Sequence, residues 1–163
     1  MIYRIKQFID SMTAKITDED RAFYKRYLTL KETVLFERLK VYDQKHSLRV
    51  AYLLKEKTDG NEEMIRLGLL HDIGKQVYPL NPIKKSIMVL LDKMSKGSIK
   101  KYDQIKMVHS YYEHPMIGYE LLKQEGGYEE NFLQLIKSHH IKGNMSINID
   151  DRLLNLQAAD DES

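Results

Sequence analysis

Histidine is scarce in this chain, six copies in 163 residues, yet five of them stand in a pattern suited to a metal site. His46 is followed by His71-Asp72 within His71-Asp72-Ile73-Gly74-Lys75, then by His114-Pro115, the doublet His139-His140, and Ala159-Asp160. Imidazole and carboxylate are common ligands of catalytic transition metals. His46, His71, Asp72, His114, His139, His140 and Asp160 are enough for two metal positions that share one carboxylate. Asp72 is the expected bridge, because its neighbour His71 can bind one ion while Asp72 spans both. Asp160 would complete the first position with His46, and His114, His139 and His140 would surround the second. A hydroxide between the ions would be the nucleophile, since coordination lowers the pKa of bound water towards ~7. Lys75 would offer its ammonium to a phosphate oxygen as charge develops. Asp72 and Lys75 are therefore the expected catalytic residues, while His109 belongs to no group.

The elements that must carry these groups are helical. Ile2, Ile5, Phe8/Ile9 and Met12 recur at helical spacing. Thr17, with Asp20 three residues on, reads as an N-cap for a helix bearing Phe23, Tyr24, Tyr27 and Leu28. A third helix is expected over about 31–39 and a fourth over about 41–57, with His46 on its apolar side. Asp59-Gly60-Asn61 interrupts the pattern before a helix over 62–70. Asn81-Pro82 opens another through about Met94, and His114-Pro115 reads as a second opening of that kind, closed by Gly126-Gly127. Helices over about 128–138 and 150–160 follow. Hardly any β-branched alternation competes with this, so the fold class is all-α, a single domain without repeats.

Adjacent residues on a helix point about 100° apart, so His71-Asp72 and His139-His140 are awkward mid-helix. Each precedes a glycine, Gly74 and Gly143, which places both pairs at helix ends. His114, held out of αR geometry by Pro115, is expected at a helix entrance. Seven lysines at 84, 85, 93, 96, 100, 101 and 106 face only Asp92 and Asp103. They make either a solvated helix face or a basic rim and lid that gathers a phosphorylated substrate.

Composition narrows the field. A hydrophobic fraction of 42% with 31% charged residues suits a protein of amphipathic helices. A net charge of +2 gives no global reason to expect DNA or RNA binding. Without cysteine there is no disulfide and no thiolate ligand, which fits a cytoplasmic address. No stretch approaches the length of a transmembrane helix.

At these residues the chain resembles the HD superfamily of metal-dependent phosphohydrolases. The order His46, His71-Asp72, Asp160 follows its defining pattern, and His114, His139 and His140 resemble the fuller set of the HDIG and HD-GYP branches. His46-Ser-Leu-Arg-Val-Ala, Leu69-Leu-His-Asp-Ile-Gly-Lys75 and His114-Pro-Met-Ile-Gly-Tyr-Glu-Leu-Leu122 carry the likeness. The Gly-Tyr-Pro tripeptide of HD-GYP proteins is absent: Ile-Lys-Gly-Asn-Met follows His140. The resemblance implies a compact helical bundle with the site at its centre, residues 41–163 forming the metal-binding core and 1–40 supplying packing helices. It implies two divalent transition ions, iron or manganese before nickel, cobalt or zinc, and hydrolysis of a phosphoester in a small nucleotide-like substrate. Two other readings share the ligand set: a mixed-valent di-iron oxygenase and a non-catalytic signalling module.

Overall fold

In a computed structural model, residues 15–141 and 150–163 are described, and among them every regular element is helical. The helices are α1 (Asp18–Tyr27), α2 (Leu30–Glu37), α3 (Val41–Lys57), α4 (Glu62–Leu70), α5 (Pro82–Ser95), α6 (Lys106–Glu125), α7 (Glu130–Ser138) and α8 (Asp151–Glu162). Two short 3-10 segments, Ile73–Gln76 and Ser98–Tyr102, join them. The expected helix over residues 2–12 and the turn at Gly143 lie outside the described residues.

Local chemistry sets the helix starts. Thr17 accepts from the Asp20 amide while the Asp20 carboxylate accepts from the Thr17 amide, a reciprocal capping box. Thr29 and Glu32 repeat it at α2. Asn61 caps α4 by accepting from Met64 N, and Asn81 caps α5 by accepting from Lys84 N. At the other end of α6, Gly126 turns the chain at φ +75°.

The core forms where α3 and α4 press together. Leu48, Val50, Ala51 and Leu54 from α3 and Ile65, Leu67, Leu69 and Leu70 from α4 are all sealed from solvent. A Cβ at Gly68 would sit 2.9 Å from the Ala51 Cα, so the two backbones approach to near contact there. Tyr24, Leu35 and Phe36 bring α1 and α2 onto this core. The buried Glu32 carboxylate ties three segments together. It accepts from Arg66 on α4 at 2.8 Å (Nε) and 2.6 Å (Nη2), and from the Tyr128 hydroxyl at 2.9 Å.

One expectation fails. Residues 106–125 form one continuous helix, and His114-Pro115 lies in its middle, not at its entrance. Proline inside a helix withholds an N–H from the carbonyl four residues back, here Tyr111. The His114 ring supplies the substitute. Its Nδ1 donates to the Tyr111 carbonyl at 3.0 Å and to the Ser110 carbonyl at 3.2 Å. The pre-proline preference for extended backbone is thus overridden by a buried helix whose lost bond a side chain repairs.

Candidate metal centre

Both adjacent pairs occur at helix C-termini. His71 is the C-cap residue of α4 and Asp72 follows in bridge-like geometry (φ −99°, ψ 11°). His139 is the C-cap residue of α7, with His140 next. The last carbonyls of a helix lack ordinary partners, and each capping imidazole uses one. His71 Nδ1 donates to Gly68 O at 2.8 Å, and His139 Nδ1 donates to Ile136 O at 2.6 Å. His114 Nδ1 is engaged with its own helix as described. A carbonyl only accepts, so Nδ1 carries the proton in all three. The unprotonated Nε2 of each neutral ring therefore faces the interior.

His46 reaches the same state by another route. The Ser163 hydroxyl donates to Asp160 O at 3.0 Å and lies 3.0 Å from His46 Nδ1, from which it accepts. His46 Nε2 then points at Asp160 Oδ1 (2.9 Å) and Asp72 Oδ2 (3.5 Å).

All seven groups converge on one centre, in two sets. His46, His71 and Asp160 form one; Asp72, His114, His139 and His140 form the other. Asp72 lies between them. Its Oδ2 is 3.5 Å from His46 Nε2 and 3.4 Å from His71 Nε2. Its Oδ1 is 3.2 Å from His114 Nε2 and 3.7 Å from His139 Nε2. His140 stands at the open edge, its side chain 47% exposed, with Nε2 3.1 Å from His114 Nε2. His109 packs elsewhere, its ring against Tyr78.

This donor set fits a bound cation. His71 Nε2, His139 Nε2 and Asp72 Oδ1 are fully buried without a hydrogen-bond partner, an arrangement that costs about 1–3 kcal/mol for each such atom unless something occupies the centre. The nitrogen–oxygen spacings of 2.9–3.8 Å between the buried ligands bracket the separation of neighbouring ligands around one ion. With bonds of about 2.1 Å, that separation is roughly 3.0 Å in octahedral and 3.4 Å in tetrahedral geometry. The neutral imidazoles are ready donors. Burial pushes His46 and His114 down to about 4 and His140 down to about 2. Burial opposes the charge on Asp72, but the Lys75 ammonium beside it outweighs that and holds the carboxyl well below its ordinary range. The Lys75 ammonium pairs directly with Asp72 Oδ2 and is kept charged by it despite burial.

A model of the HD domain matches residues 44–162. The chain belongs to the HD domain family. Most of that superfamily are metal-dependent hydrolases, and the paired ligand sets here agree with metal binding. No curated protein and no solved structure matches this chain. No helix among the described residues is long and apolar enough to cross a membrane.

Two charged residues join this HD centre that sequence reasoning did not single out. Asp43, one turn before His46 on α3, is buried, and burial raises it to about 6 against the opposing pull of Lys75 and Lys85. Its i, i+3 spacing to His46 was the available signal. Lys85 was submerged in the lysine-rich segment. The other six lysines of that segment are exposed, and Lys85 alone is half-buried.

The depressed histidines give the metal-free protein an acid-sensitive stability. In the unfolded chain His46 and His114 would titrate near 6.5, against about 4 when folded. Between those values the unfolded chain binds more protons, so lowering the pH favours unfolding. Each residue is expected to remove up to about 3 kcal/mol as pH falls through this window. His71 is raised and acts in the opposite sense: its contribution grows as pH falls from its folded pKa to 6.5 and is complete below that, which offsets part of the loss between pH 7.5 and 5. Urea denaturation of chelator-treated protein should give a lower midpoint at pH 5 than at pH 7.5. A midpoint that rises on acidification would contradict this assignment.

Proposed function

We propose that this HD protein is a phosphohydrolase that cleaves a phosphoester of a nucleotide or related small molecule at a binuclear metal centre. The observation that carries the reading is the position of Asp72, with one oxygen towards each ligand set and Lys75 paired to it. His46, His71 and Asp160 would hold one divalent ion, His114, His139 and His140 a second, and Asp72 both. An imidazole and carboxylate set of this kind accepts iron, manganese, nickel, cobalt or zinc, and the HD resemblance favours the first two. When bound, such ions supply Lewis acidity towards phosphate oxygens and lower the pKa of water.

The chain's own residues do the rest. The carbonyls of Gly68, Ile136 and Tyr111 fix the ring orientations of His71, His139 and His114, a role that outer partners of metal ligands commonly play. Lys75, charged and largely buried, is placed to orient a phosphate oxygen and to stabilise charge that grows on it. Gly74, packed on the α6 backbone, keeps the turn carrying Asp72 against His114.

Metal content per chain, measured by mass spectrometry on protein purified without chelator, tests the reading together with phosphoester turnover. About two transition ions per chain and hydrolysis of a nucleotide phosphoester are the expected result. A protein that stays empty after reconstitution with iron and manganese, or that is loaded but inert towards phosphoesters, overturns it.

A further inference from the structure

Helix α5 has two faces of opposite character. Ile83, Ile87, Leu90 and Met94 form an outward stripe, each at least 44% exposed. Met88 is buried, and Asp92 bonds the Tyr112 hydroxyl of α6, so these residues mark the inward face. Lys85 precedes them by three and seven residues and therefore lies on that same inward face, at the helix's first turn. The Tyr42 hydroxyl, one turn before His46 on α3, bonds Leu80 O just ahead of α5. That bond anchors the first turn of α5 beside the metal centre.

The charge of Lys85 is felt there. Lys75, Asp43, Asp72 and Asp160 all act on it electrostatically. Among the described residues, however, its ammonium has no carboxylate within ion-pair distance, and the buried Asp43 carboxylate has no hydrogen bond. A half-buried lysine stem ordinarily carries its head to water or to a partner. The Lys85 head, with no carboxylate partner, keeps access to solvent on the face of α5 turned towards the centre, where a bound ligand could meet it. Lys75 spends one of its three donors on Asp72, and Asp43 offsets one further positive charge, so cations seated among the ligands would leave an excess of positive charge at this end. A dianion neutralises that excess better than a monoanion does.

We propose that Lys85 is a phosphate-binding residue of this centre, holding with Lys75 a terminal dianionic phosphate, so that the substrate is a phosphomonoester rather than a diester. The proposal rests on the phosphohydrolase reading for the chemistry of its ligand, but phosphate binding can be measured without turnover. The experiment is calorimetric titration of metal-loaded protein with inorganic phosphate, followed by competition with methyl phosphate and dimethyl phosphate. Lys85→Ala is expected to weaken phosphate binding about tenfold, as befits loss of one charge-assisted hydrogen bond. Lys85→Arg should retain most of the affinity, and Lys84→Ala, at an exposed position, should change it less than about twofold. Methyl phosphate should compete at least about tenfold better than dimethyl phosphate in the wild type, with a smaller preference in Lys85→Ala. Wild-type affinity in Lys85→Ala, absence of phosphate binding in the wild type, or equal competition by the two esters would overturn the proposal. Lys85-dependent phosphate binding without hydrolysis of any phosphoester would leave this site standing and sink the hydrolase reading instead.

Discussion

Asp72→Asn is expected to abolish phosphoester turnover, by at least about 10²–10³-fold, while the helical circular-dichroism signal persists. The isosteric amide can still accept from Lys75 but carries no charge and offers one weak oxygen donor. The wild-type carboxylate presents Oδ2 to His46 and His71 and Oδ1 to His114 and His139. An amide nitrogen on either side would meet a lone pair of a ring nitrogen only by donating to it, which removes that nitrogen as a ligand. Metal content should therefore fall from about two ions per chain to at most one. A variant that keeps both metals and the wild-type rate would remove Asp72 from the centre of the proposal.

Gly74→Ala is expected to be the most damaging conservative change outside the ligand set. A Cβ there would lie 2.0 Å from His114 O, 2.6 Å from Gly118 N and 2.9 Å from His114 C. All three are backbone atoms, so no side chain can swing aside, and the turn must lift off α6. The cost should exceed about 3 kcal/mol, at the upper end for overpacking. For a chain of this size that is a fall in Tm of the order of 10 °C. The displacement also moves Asp72 relative to His114, so metal affinity should fall about 10–100-fold, as when outer support of a ligand is lost. Gly60 is the natural contrast. Its φ is +79° but a Cβ there meets nothing, and Gly60→Ala should cost only the local backbone penalty of about 1–2 kcal/mol. Thermal melts of both variants, with and without chelator, check the ordering; equal melting temperatures would refute it.

The role of Gly74 also shows where local reading ended. Its sequence position suggested a helix-ending turn, and α4 does end nearby, but Gly74 itself has no left-handed backbone. It is small because another helix backbone touches it, and no pattern within a few residues encodes that approach. Pro115 is similar. Sequence rules place the residue before proline in extended geometry, yet α6 continues through it because the His114 ring occupies the carbonyl that proline leaves unserved. That exchange becomes worthwhile only when helix and ring are buried together.

By itself the sequence determined that this is an all-helical HD domain and which histidines and aspartates stand together in its order. Helical periodicity, capping residues and the chemistry of imidazole and carboxylate are local properties, and they survive any arrangement of the helices. Tertiary packing alone decided which oxygen of Asp72 faces which imidazole. It also turned Asp43 and Lys85 inward while the six neighbouring lysines stayed in solvent. Seven lysines in one basic segment are chemically alike. For Lys84, Lys85 and Lys93, which α5 carries, the physical reason they differ is the rotation of that helix about its axis, fixed by Met88, Asp92 and the bond from Tyr42 to Leu80; the other four lie beyond its last residue.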